Sequence, residues 1–263
     1  MPVKYYEFMR EQSRAGLEHL CDAELDKAET KPDRYSSIGS LLIDEILYTF
    51  DLPAIDKSDY PRVYNSLDQM KDENVEEKFI QKFAQRNNSF YHGESNIIFL
   101  RNPEIDGFIE ECMHFVNICL CGELRKSWES FNMADGFYAH ILAEASAHFG
   151  VKVIFGREFN EHAFRGRTSY GLYEDHLRFE KEYKTTEQDR FDEICPLAKI
   201  FEQDKDVLNE VIHLLGYRLG ERIYGCYAAE KFSDADFRQL ITLNLREANS
   251  AIETYLGLID KLE

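Results

Sequence analysis

The chain predicts an α+β fold, predominantly helical with a small antiparallel sheet, and three observations carry that expectation. Long segments repeat their apolar residues at helical spacing. Two short β-prone stretches, "SFYH" and "NIIFL", flank Gly93-Glu94 in the manner of a hairpin. Hydrophobic residues make up 44% of the 263 positions and aromatics 13%, enough to build a sizeable core. The alternative class is an all-α bundle of ferritin-like type.

Taken in order, residues 1–30 read as a polar-faced helix that ends before Lys31-Pro32. "SSIGSLLIDEILYTF" is a helix opened by a serine cap at Ser36 or Ser37 and stopped by Leu52-Pro53. "PRVYNSLDQMKDENVEEKFIQKFAQ" places Pro61 in a first turn and continues as an amphipathic helix. After the hairpin, "NPEIDGFIEECMHFVNICLCGELRKSWESF" reads as strand-to-helix or one long helix. "FYAHILAEASAHFGVKVIFG" supports two readings: its alanines favour helix, while the alternation in "VKVIF" and a turn at Phe149-Gly150 favour a hairpin over 137–155. The last 70 or so residues read as helices: "FDEICPLAKIF", "DKDVLNEVIHLLGYRLGERIYGCYAA" and "DADFRQLITLNLREANSAIETYLGLIDKL". The organisation expected is a core unit over 1–156, a charged connector over 157–192, and a helical unit over 193–263 that packs on the first.

Lys plus Arg number 31 against 49 Asp plus Glu, a net charge of −18. That balance excludes a nucleic-acid binder, which needs a basic footprint, and electrostatic docking on anionic lipid. It suits a basic protein partner. The six cysteines form no CxxC pair, and Cys119 and Cys121 lie in an apolar run as reduced core thiols do. With no apolar signal core and no membrane span in sight, the expected location is the cytoplasm.

Phosphate-cradling, nucleophile-elbow and HExxH motifs are missing. The constellation that could carry chemistry is a carboxylate-bridged two-metal site of iron or manganese. Such sites in helical bundles use an inward Glu on each of two helices and a Glu-x-x-His pair on each of two others. The pairs are Glu111/His114 and Glu210/His213, with Glu45 and Glu144 as the single carboxylates, in the bundle's order. Against this, each pair points away from the main apolar stripe of its helix wheel, which fits polar residues serving hydrogen bonds. His140, Glu144 and His148 form a polar stripe that a hydrogen-bonded buried network also explains. Arg218, Glu221 and Arg222 read as a solvated, salt-bridged face. In "GYRLGERIYGCY", Gly216, Gly220 and Gly225 each cost a helix about 1 kcal/mol against Ala, so their spacing signals close approach of another helix, or a ligand channel.

Two segments resemble the small subunits of the TRAPP vesicle-tethering complex, in reversed order. Asn102, Pro103, Asp106, Phe108, Ile109 and Glu110, then Leu120, Cys121, Gly122, Leu124 and Arg125, match that family's Leu-Cys-Gly-x-Leu-Arg helix and the extended segment before it. Asp206, Val207, Gly216, Tyr217, Gly220 and Arg222 match its Gly-aromatic helix. The resemblance implies binding through Cys121, Gly122, Arg125, Gly216, Tyr217 and Gly220, and implies no acyl chain, since "EKFSDADF" holds no cysteine. The similar bacterial 4-vinyl-reductase sensor domains imply a strand pair after the cysteine-bearing helix, hence a hairpin over 137–155.

The leading functional reading is therefore a non-catalytic scaffold, without cofactor, that binds a protein partner or an apolar small ligand and is compatible with a homo-oligomer. The second is a non-haem di-iron carboxylate oxygenase or oxidase. The third is an acidic immunity-type or regulatory protein that blocks a basic partner.

Overall fold

The computed structural model describes residues 33–86, 88–101, 105–121, 133–155, 205–242 and 248–262. The helix expected over 1–30, the charged connector and "FDEICPLAKIF" lie outside the described residues.

Helix α1, Asp33–Thr49, starts ahead of both serines expected to cap it. Ser36 serves elsewhere: its Oγ accepts the Val63 N–H at 3.2 Å. Pro61 does not open a helix. It leads into strand β1, Arg62–Tyr64, because Val63 and Tyr64 gain more by pairing with Ile98 and Phe99 in the sheet. The amphipathic segment then splits into α2, Leu67–Asp72, capped by the Ser66 side chain, and α3, Glu77–Gln85. Between them Asn74 takes a left-handed conformation, φ 56°, which ends the first helix.

The expected hairpin is present as β2, Phe90–His92, and β3, Ile97–Phe99, antiparallel to each other. The sheet order is β1-β3-β2 with β1 parallel to β3, so the sheet is mixed rather than purely antiparallel. β3 is buried on both sides. Ile98 and Val63 face the main core, while Ile97, Phe99 and Tyr64 face a smaller core closed by Met70, Phe79, Ile80 and Phe83 from α2 and α3.

Helix α4, Ile105–Leu120, is followed by α5, Met133–Phe155. The strand pair expected over 137–155 is not formed. Every residue from Tyr138 to Ile154 except His140 is buried, so α5 is a central helix apolar on nearly all sides, and a five-residue alternation in "VKVIF" carries no face preference there. Helices α6, Lys205–Ala228, α7, Asp234–Ile241, and α8, Ala248–Leu262, pack on α5. The main core draws on all of α1 and α4 through α8 and includes Ile38, Phe108, Phe149, Leu219, Phe237 and Leu258. No helix among the described residues is long and apolar enough to cross a membrane.

Candidate metal centre

Where α4, α5 and α6 meet, the core turns polar. Glu110, Glu111 and Glu144 are 9%, 8% and 7% exposed. Burying a carboxylate is costly unless it is paired, so its partners define what this place can do.

Glu144 sits at the centre, supplied by the central helix. Its Oε2 lies 3.6 Å from His114 Nε2 of α4, and its Oε1 lies 3.7 Å from His213 Nε2 of α6. Both separations exceed an ordinary hydrogen bond, and the buried Oε2 has no hydrogen-bond partner. Glu110 joins from α4: ligand atoms of Glu110, His114 and Glu144 all fall within 4.8 Å of one another, a group to which His213 does not belong. The Tyr217 hydroxyl donates to Glu110 Oε1. The Tyr217 ring stacks on His148 at 4.8 Å between centroids and meets His213 edge-on.

The glycines of α6 explain how two helices come so close here. A Cβ on Gly216 would stand 2.2 Å from Glu144 Cβ, and one on Gly220 would stand 2.9 Å from Ala145 O. Bare backbone on α6 therefore lies against α5 at the level of Glu144, as the spacing of these glycines predicts. Gly225 meets nothing within 4 Å and plays no such part.

The charges are strongly perturbed. Burial works to raise Glu144, but the imidazoles of His213 and His114 hold it down to about 2. Burial works to lower His114, and Glu144 instead raises it to about 10. Burial pushes Glu111 up to about 8 and, with the Glu144 charge, raises Glu110. His140, one turn before Glu144, is lowered by burial to about 4. Without a cation, the cluster is an ion pair of Glu144 with a protonated His114, beside a Glu110 that burial biases toward its neutral form.

The residues expected at a metal site divide as follows. His114, Glu144 and His213 come together. Glu111 turns away to accept the Tyr91 N–H of β2, and its neighbour Glu110 takes the position by His114. Glu45 is half-buried on α1 and accepts from Thr49 Oγ1 at 3.3 Å, outside the cluster. The side chain of Glu210 lies outside the described residues. Spacing of four residues puts Glu110 and His114 on one face as well as spacing of three does for Glu111, so the choice between adjacent glutamates was open in the pattern.

Of the residues that the TRAPP-like motifs point to, Gly216, Tyr217 and Gly220 border this centre, and Gly122 and Arg125 lie outside the described residues. Cys121 is buried, its thiol pushed up to about 12 by burial, and donates to Ile241 O at 3.1 Å. It packs as a core thiol. Glu221 is not simply solvated: half-exposed, it takes the buried His148 Nε2 at 2.9 Å together with Lys152 Nζ. No family model, curated protein or solved structure matches this chain.

Proposed function

We propose that the protein is a metalloprotein that holds a divalent first-row transition ion between α4 and α5, with Glu110, His114 and Glu144 as ligands. The observation that carries this reading is the spacing around Glu144. Ligands of one ion at about 2.0–2.2 Å stand roughly 3.0–3.7 Å apart for inter-ligand angles of about 90–120°, and the 3.6 Å between Glu144 Oε2 and His114 Nε2 falls in that range while being too long for a hydrogen bond. Carboxylate with imidazole suits iron, manganese, cobalt or zinc, and the lack of a thiolate in the group speaks against copper(I). A cation would replace the proton on His114 and offset the burial of Glu110 and Glu144. In such a site a redox-active ion supplies oxidase or oxygenase chemistry, which makes the non-haem reading the enzymatic one.

Elemental analysis of the purified chain tests this. We expect at least one transition ion per chain, lost in His114→Ala. Removing it with a chelator should lower the melting temperature by about 5–10 °C, the effect of losing a ligand present at about 100 times its dissociation constant. A chain that neither carries nor takes up such an ion returns the function to the TRAPP-like scaffold, for which the tight α5–α6 seam would be only packing.

A further inference from the structure

We propose that Glu144 bridges two divalent first-row transition ions, one shared with Glu110 and His114 of α4 and the other with His213 of α6, so that the centre is dinuclear. This rests on the metal reading above and extends it.

The two oxygens of Glu144 face different imidazoles on different helices, Oε2 toward His114 at 3.6 Å and Oε1 toward His213 at 3.7 Å. Each separation fits a pair of ligands on one ion. The two imidazoles do not fit the same ion together with Glu110. Ligands of a single ion cannot stand more than about 4.4 Å apart, twice a metal–ligand distance of about 2.2 Å, and His213 falls outside the group whose atoms lie within 4.8 Å of one another. A carboxylate whose oxygens each meet a separate cation is the bridging geometry of two-metal sites, where the ions sit about 3.5–4 Å apart.

Burial points the same way. Glu110 and Glu144 are both buried here, and a cation at each oxygen of Glu144 would offset the cost of desolvating it. Tyr217 donates to Glu110 and borders His213 edge-on, so its ring closes the α6 side.

Manganese(II) added to the full-length, chelator-stripped chain, with bound metal counted after equilibrium dialysis, should reach two ions per chain. The electron paramagnetic resonance spectrum should show an exchange-coupled pair. His213→Ala should hold one ion and give the uncoupled six-line signal. Saturation of the unaltered chain at one uncoupled ion would overturn the bridge and leave the mononuclear reading standing. No binding at all would sink both. The count and spectrum of the unaltered chain decide the matter even if His213→Ala fails to fold.

Discussion

Beneath the sheet, Phe79, Phe83, Phe90 and Phe99 pack with Met70 and Ile80, and Phe83 alone meets the rings of Phe90 and Phe99 at 4.6 and 5.4 Å. Between α4, α5 and α6, by contrast, the buried Glu110 and Glu144 meet the slightly exposed His114, with Glu111 buried alongside. The first interior stabilises the fold through apolar area removed from water. The second works against it at Glu110 and Glu111, which burial raises, while Glu144 keeps its charge only through the imidazoles of His213 and His114. The small apolar compartment and the polar one are thus separate clusters on the two sides of the fold's main core, and the Tyr91 N–H of β2 reaches Glu111 beside the polar one.

The largest expected effect probes the apolar compartment. Phe83→Ala should cost about 3–5 kcal/mol, read from urea unfolding, while metal content per folded chain stays unchanged. A loss of metal along with stability would show that the compartments are coupled. Next comes the seam that shapes the polar compartment. Gly216→Ala should destabilise by about 1–3 kcal/mol through overpacking, despite the roughly 1 kcal/mol that alanine gains in a helix. On the same helix Gly225→Ala, with nothing to collide with, should stabilise by up to about 1 kcal/mol. Equal effects at the two glycines, in thermal melts, would contradict the close approach.

The smallest effect is a pH dependence. Burial, with Lys82 adding, lowers His92 to about 4 in the folded chain, against about 6.5 when unfolded. Between those values the unfolded state binds a proton that the folded state refuses. Stability is therefore full above pH 6.5 and falls as the pH drops toward 4. The half-exposed ring keeps the change small. His92→Gln should flatten that slope in denaturation midpoints measured across the range; an unchanged slope would assign it to other groups.

Much of this was legible in the sequence. The helical periods of α1, α4 and α6 and the turn chemistry around Gly93 sufficed for those elements, and the glycines announced the seam. Two local signals misled. Pro61 fits the first turn of a helix and the start of a strand equally, and only the partners Ile98 and Phe99, more than 30 residues on, decide for β1. Alternation in "VKVIF" mimics a strand only when one face is wet, and around α5 almost none is. At the centre, His114, Glu144 and His213 stood out as polar residues of ligand type within helical runs. Glu110 did not, because Glu110 and Glu111, four and three residues before His114, flank its face of α4 on either side, and a main-chain N–H from another element engages Glu111.

That N–H has a further consequence. β2 and β1 are the rims of the sheet, and each has a central amide pointing outward, at Tyr91 and Val63. Glu111 caps the first and Ser36 the second, so neither of these two amides is left to pair with a strand from another molecule. A glutamate at ligand spacing from His114 serves instead to satisfy a main-chain donor at the covered rim of the sheet, and losing it would leave that part-buried N–H without its acceptor.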